Sequence, residues 1–318
     1  MKKVLIAGGS GFIGSHLCAR FLNKNYSVMC VDNLSTGNIN NIKNFQNNSN
    51  FSFVQCDITQ NLPTQITDYH PDYVLNFASP ASPIDYQQIP IETLKVGSFG
   101  TLNLLELVKQ NNSIFLQAST SEVYGDPLIH PQVETYFGNV NSFGPRSCYD
   151  ESKRFSEALV YSYIHKFDLD LRVIRIFNTY GPNMRLNDGR VVPQFIPQAL
   201  LNQPITIYGD GLQTRSFCYV SDLVDGIVKM IEKESGLKGE VVNLGNPEEH
   251  TILEFAKIII ELTNSTSQIK FLAKPKDDPT KRKPDISKAK RLLDWNPSTP
   301  LDVGLKKTID YFSPLIRN

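Results

Sequence analysis

Tyr149 and Lys153 lie four residues apart in a stretch with helical periodicity, a spacing that puts both side chains on one helix face. Of the 13 tyrosines, Tyr149 alone has a lysine at that distance. A nearby ammonium lowers a phenol's pKa, so such a pair can take a proton from a hydroxyl near neutral pH. The same pair also occurs on ordinary surface helices. It gains force from Ala118-Ser119-Thr120-Ser121-Glu122, which follows an apolar run reading as a strand and so falls at its C-terminal end. That edge of an open α/β sheet is where ligands bind.

A second constellation points to the ligand. Gly9-Ser10-Gly11-Phe12-Ile13-Gly14 matches G-x-G-x-x-G, with Gly8 as a further glycine. It follows the apolar run 3–7 and opens a helical pattern carrying Ile13, Leu17 and Phe21 on one face. Glycines allow a tight turn and let the backbone approach a pyrophosphate, which then sits on the positive helix N-terminus. Asp32 ends the next predicted strand, 18 residues after Gly14. A carboxylate there accepts both ribose hydroxyls and repels a 2′-phosphate, so NAD is expected over NADP. A positive nicotinamide would help Tyr149 to ionise.

These residues need a scaffold. Residues 3–7, 27–31, 51–56, 73–78, 113–118 and 171–177 read as strands, and 12–24, 91–110 and 149–167 as helices. The alternation predicts βαβ units, hence an α/β fold with a Rossmann-type doubly wound parallel sheet. After Phe177 the pattern loosens and Gly and Pro become frequent. We therefore expect a dinucleotide-binding domain over 1–180, to which parts of 217–245 return, and a smaller α/β substrate domain over 181–318. Thr251-Ile252-Leu253-Glu254 reads as a capping box, and Thr299-Pro300 as an N-cap with proline at the first helical position. The Asn-rich stretch 38–50 reads as a solvated connection. Helices 91–110 and 149–167 are apolar around most of their circumference, through Leu94, Leu102, Leu104, Leu105, Leu107 and Val108 in one and Phe155, Leu159, Val160, Tyr161, Tyr163, Ile164 and Phe167 in the other. Such helices need burial on a second side, which predicts a twofold homodimer built on them.

Composition narrows the remaining possibilities. The 318 residues carry 32 Lys plus Arg against 32 Asp plus Glu, a formal net charge of zero. That weighs against nucleic-acid or polybasic membrane partners. The five cysteines (Cys18, Cys30, Cys56, Cys148 and Cys218) are widely spaced without C-x-x-C, and the histidines form no ligand pair. Reduced thiols and no metal site are expected. The run after Met1-Lys2-Lys3 is too short for a signal peptide, and no stretch reaches membrane length, so an unprocessed cytoplasmic protein is expected.

Longer strings carry a closer likeness. Ala78-Ser79-Pro80-Ala81-Ser82-Pro83, Ser119 to Pro127, Arg175-Ile176-Phe177-Asn178-Thr179, Asn243 to Thr251 and Lys281-Arg282-Lys283-Pro284-Asp285 resemble the extended short-chain dehydrogenase/reductases that modify nucleotide sugars. Within that family they most resemble the UDP-glucuronate decarboxylases, over nearly the whole chain. Animal relatives carry an N-terminal membrane anchor, whereas this sequence opens on its first strand; the departure concerns location and leaves the chemistry untouched.

The resemblance implies oxidation at sugar C4 by NAD, loss of the C5 carboxylate from the resulting β-keto acid, and return of the hydride to give UDP-xylose. It implies that Thr120 bonds the 4-hydroxyl, Tyr149 takes its proton, Lys153 holds the nicotinamide ribose, Glu122 acts at C5 and Arg282 meets the carboxylate. Gly8, Gly11, Phe12, Ile13, Gly14, Asp32, Asn33, Ser35, Thr36, Gly37, Asp57, Ile58, Phe77, Ala78, Ser79, Ala118, Ser119, Thr179 and Arg190 would complete the NAD site. Pro80, Ser82, Lys95, Ser121, Asn178, Val191, Tyr208 and Arg215 would hold the UDP-sugar. Rival expectations are a 4,6-dehydratase sharing the first oxidation, an oxidative decarboxylase releasing the 4-keto pentose, and a non-catalytic redox sensor. Ser-Pro-Ala-Ser-Pro and Arg-Lys-Pro weigh against the dehydratase, and the intact Tyr/Lys pair against the sensor.

Overall fold

The computed structural model describes residues 1–186, 188–273 and 279–317. Six strands alternate with helices in the first half: β1 (Lys3–Ala7), β2 (Ser27–Asp32), β3 (Phe51–Gln55), β4 (Tyr73–Asn76), β5 (Ile114–Thr120) and β6 (Leu171–Ile176). The short strands β7 (Thr179–Tyr180), β8 (Ile205–Tyr208), β9 (Thr214–Ser216) and β10 (Cys218–Tyr219) follow, then β11 (Val241–Leu244), β12 (Glu249–Thr251), β13 (Ile269–Leu272) and β14 (Lys281–Arg282). The helices are α1 (Phe12–Asn23), α2 (Thr64–Thr67), α3 (Pro83–Gln88), α4 (Pro90–Lys95), α5 (Thr101–Asn111), α6 (Ser147–Phe167), α7 (Val191–Leu200), α8 (Val220–Glu232), α9 (Ile252–Leu262), α10 (Ser287–Leu293) and α11 (Leu301–Arg317).

Seven strands form one sheet in the order β11-β6-β5-β4-β1-β2-β3, with every neighbouring pair parallel. A parallel sheet is covered on both faces, so its strands are apolar on both sides. In β1, Val4 and Ile6 join the core shared with α1 and α8, while Leu5 and Ala7 join the core shared with α5 and α6. Strand order reverses between β1 and β4, and this opens a crevice beyond their C-terminal ends. Residues 241–244 return to this sheet beside β6, and the remaining short strands form three small sheets.

Three local readings change. The expected helix 91–110 is broken into α4, a π-helical turn at Val96–Gly100, and α5. A Cβ on Gly97 would lie 2.6 Å from the Ser152 Cβ, so the turn lets this segment press onto α6. Thr251 and Glu254 form the expected capping box. α11 begins at Leu301, one residue later than a Thr299 cap with Pro300 at the first helical position would put it, and Thr299 donates its N–H and its hydroxyl to Asp222. The Asn-rich stretch is partly structural, since Ile39–Phe45 is a 3-10 helix and the Asn41 amide donates to the Ser10 carbonyl at 2.9 Å.

Candidate active site

The crevice continues into a cavity of about 540 Å³. Phe12 and Ile13, which follow the glycine turn at the start of α1, line one side of it. Gly8 has φ +77°, a conformation open to glycine, and a Cβ there would come within 2.6 Å of the Phe77 carbonyl carbon on β4's exit. A Cβ on Gly14 would sit 2.1 Å from the Gly8 oxygen. Gly11 is the N-cap of α1 and offers no side chain to the first-turn amides, leaving them for a ligand.

Asp32 at the end of β2 is buried, with Oδ2 accepting from the Ser10 N–H at 3.0 Å and Oδ1 from the Leu34 N–H at 2.8 Å. Each oxygen keeps a lone pair for a ribose hydroxyl. A Cβ on Gly37 would lie 2.8 Å from Asp32 Oδ1 and 2.2 Å from Ser10 Oγ, so the glycine keeps this edge open. Ser10 Oγ is buried and has no partner among the described residues, an orphan polar atom at the mouth of the turn. These features fit a dinucleotide.

Phe12, Ile13, Phe77 and Ser79 line the near wall of the cavity, and Ala118, Ser119, Thr120, Ser121 and Glu122 line the end of β5. Tyr149 and Lys153 enter from α6; Asn178, Thr179, Arg190, Val191, Tyr208 and Arg215 come from beyond β6. Asn33, Ser35 and Thr36 follow Asp32, where Asn33 Oδ1 accepts from Ser35, and Ala78 adjoins Gly8. Asp57, Ile58, Pro80, Ser82 and Lys95 do not line this cavity. Ile58 packs in the core, its Cδ1 2.9 Å from where a Gly100 Cβ would be, and the neighbouring Asp57 accepts from the Thr59 N–H. Pro80 is buried, and Ser82 caps α3 by accepting from the Asp85 N–H. Lys95 is exposed on α4 and does not line the cavity.

Tyr149 and Lys153 are 7% and 5% exposed, and the Tyr149 ring stacks on Tyr86 with centroids 5.0 Å apart. Lys153 Nζ donates to the Ala118 carbonyl at 3.0 Å and lies 5.8 Å from the Tyr149 ring centre. The expected lowering counts on a bound positive nicotinamide as well as on Lys153. Burial pushes Tyr149 up to about 12, against the pull of its hydrogen bond with Thr120, and burial brings Lys153 down to about 8. In the protein alone the loss of water thus outweighs the groups that favour the phenolate, and a bound positive nicotinamide would act against it.

Beside this pair lies a charged cluster. Glu122 Oε2 accepts from Arg146 Nη2 at 2.5 Å and from Arg282 Nη2 at 3.2 Å, and Arg282 Nη1 donates to the Ser121 carbonyl at 2.8 Å. Burial would raise the Glu122 carboxyl, but the guanidiniums of Arg282 and Arg146 outweigh it and hold the group well below the usual carboxylate range. Glu122 is therefore ionised. Arg282 is 1% exposed, and its Nε has no partner among the described residues. Ser119 Oγ donates to Glu157 at 2.5 Å, and Glu157 is gripped by Arg175, which steadies the end of β5. Arg146, Tyr86 and Asp150 were not legible as site residues. The one available signal was Arg146 standing three positions before Tyr149, on the same helical face.

The family model described as GDP-mannose 4,6 dehydratase matches residues 5–308. UDP-glucuronic acid decarboxylase 1 of Danio rerio is 50% identical over 312 residues, covering 98% of this chain and 73% of its own. UDP-glucuronic acid decarboxylase 4 of Arabidopsis thaliana is 47% identical over 313 residues, covering 98% of this chain and 68% of its own. Among solved structures, the UDP-glucuronic acid 4-epimerase of Bacillus cereus in complex with UDP-glucuronic acid and NAD is 31% identical with a TM-score of 0.90, covering 98% of this chain and 99% of that one. The dinucleotide crevice, the Tyr/Lys pair and the arginine-held glutamate thus belong to a chain of the UDP-glucuronic acid decarboxylase family, within the extended short-chain dehydrogenase/reductases.

Proposed function

We infer that the protein converts UDP-glucuronate to UDP-xylose and carbon dioxide with no net redox change. The observation that carries this reading is the buried Arg146–Glu122–Arg282 cluster beside Tyr149 and Thr120, since paired guanidiniums suit a sugar bearing a carboxylate. Bound NAD supplies the hydride acceptor for sugar C4 and later returns the same hydride. Thr120 hydrogen-bonds the 4-hydroxyl, Tyr149 receives its proton, and Lys153 holds the nicotinamide ribose. The C5 carboxylate then leaves as carbon dioxide, with its bonding electrons taken up by the C4 ketone as an enolate that takes a proton from solvent at C5, and Tyr149 gives its proton back to the C4 oxygen as the ketone is reduced. Arg282 orients the carboxylate, and ionised Glu122 faces C5. Asn178, Tyr208 and Arg215 hold the UDP. We assign 1–180 with parts of 217–245 to NAD and the rest of 181–318 to the nucleotide sugar.

Incubation with UDP-glucuronate is expected to give a product lighter by one carbon dioxide, without stoichiometric NADH, and with NAD, not NADP, restoring stripped enzyme. Stoichiometric NADH with a 4-keto pentose would move the assignment to an oxidative decarboxylase, loss of water to a dehydratase, and an unchanged mass to an epimerase.

The active form is a homodimer. Ile91, Leu94, Phe99, Phe155 and Tyr161 are 40–64% exposed on α4, the π turn and α6, and nothing in the described second half of the chain covers them. Light scattering at micromolar concentration is expected to report twice the 35.8 kDa chain mass. A fully active monomer would overturn this. No helix among the described residues is long and apolar enough to cross a membrane, and the five unbridged cysteines suit a reducing compartment, the cytoplasm.

A further inference from the structure

Arg282 holds its place on little structure of its own. It sits on β14, a two-residue edge strand whose neighbour is β9. Pro279 and Pro284 stand just before and after the strand and have no N–H to add to a ladder. Yet the Arg282 side chain is buried and must reach both Glu122 and the Ser121 carbonyl, and Ser121 and Glu122 line the cavity.

The residues on either side of Arg282 are held by one stretch of chain, the connection that leads from Glu122 to α6. The Thr280 N–H and hydroxyl both donate to Asp126 Oδ1 at 2.9 Å. The Lys283 N–H donates to Gln132 Oε1 at 2.9 Å, and the Gln132 N–H donates back to the Lys283 carbonyl at 2.9 Å. The Gln132 carbonyl accepts from the Asp285 N–H at 2.9 Å and from Asn243 Nδ2, on β11 of the main sheet, at 3.0 Å. Gln132 is fully buried, and its own amide is fixed by donating to the Ile129 carbonyl at 2.9 Å. The segment that presents the Glu122 carboxylate therefore also sets where the Arg282 guanidinium comes to rest.

We propose that Gln132, together with Asp126, is a positioning residue: the two clasp β14 to the connection after Glu122 and so fix the reach of Arg282 toward the uronate carboxylate. Neither lines the cavity, so both act through Arg282 and not on the reacting atoms. A guanidinium fixed in one geometry surrenders less freedom when a carboxylate docks on it. One that drifts by about 1 Å can cost roughly 100-fold. Arg215 lies on β9, which β12 holds from its other side, so the contacts to the UDP are expected to survive a loosened clasp. The effect falls on the carboxylate alone.

The inference rests on the reading of the cavity as a uronate site, so the test compares two ligands in NAD-loaded Tyr149→Phe enzyme, whose slowed chemistry leaves them intact during a calorimetric titration. Adding Gln132→Leu is expected to weaken UDP-glucuronate by roughly 10- to 100-fold and to leave UDP-xylose within about threefold. Placed beside Arg282→Met, the same substitution is expected to cost nothing further, because the group it positions is gone. Asp126→Ala, at the exposed end of the clasp, is expected to show the same ligand selectivity and the same dependence on Arg282, and it carries the test if Gln132→Leu does not fold. Equal weakening of both ligands, a loss that persists undiminished beside Arg282→Met, or unchanged UDP-glucuronate binding would overturn the positioning role. Failure of UDP-glucuronate to bind the Tyr149→Phe parent while UDP-xylose binds would instead sink the uronate reading itself.

Discussion

Tyr149→Phe is expected to lower turnover of UDP-glucuronate by about 10²–10⁴-fold while leaving NAD binding intact. The phenol lies beside Thr120 in the cavity, and Thr120 pulls against the effect of its burial, so removing one oxygen removes the route for the C4 hydroxyl proton. The ring itself stays. It stacks on Tyr86 in a wall of the cavity, and phenylalanine preserves that contact, so folding and cofactor affinity are not expected to change. Steady-state turnover paired with NAD titration checks both halves. Near-normal turnover in the variant would remove Tyr149 from the chemistry.

The second large effect concerns Arg282. It is buried, donates to Glu122 and to the Ser121 carbonyl, and has an Nε still to be used. Truncating one member of a buried, hydrogen-bonded charge pair costs about 2–5 kcal/mol, roughly 30- to several-thousand-fold in an equilibrium constant. Arg282→Met is expected to weaken UDP-glucuronate by that range and to leave UDP-xylose, which lacks the carboxylate, within a few-fold of wild type. Arg146 still holds Glu122 in this variant, which limits the damage to the fold. Equal weakening of both ligands would show that Arg282 serves structure and not the carboxylate.

The two predictions draw on different kinds of information. Tyr149, Lys153, Thr120, Gly8, Gly11, Gly14 and Asp32 were legible in the sequence because their work is local. A turn that excludes Cβ atoms needs glycine whatever surrounds it, and two residues four apart on a helix share a face. The parallel sheet was legible for the same reason, since strand and helix periods alternate along the chain. Even β11 could be suspected from its apolar run at 241–244.

Tertiary packing decided what local pattern cannot encode. The π turn at Val96–Gly100 exists because Gly97 meets Ser152, 55 residues away in the chain. Thr299 is tied to Asp222, 77 residues earlier, and Asn41 to the glycine turn by a carbonyl 31 residues before it. The protonation states belong to the same class. Spacing placed an ammonium near the Tyr149 phenol, but it carries no measure of burial, which in the protein alone pushes the phenol up and the ammonium down. Glu122 went the other way, held ionised by Arg282 from 160 residues away. Spacing along a chain specifies which groups share a face, but a pKa is set by the water removed and the charges that converge from all sides, and these exist only once the chain has folded.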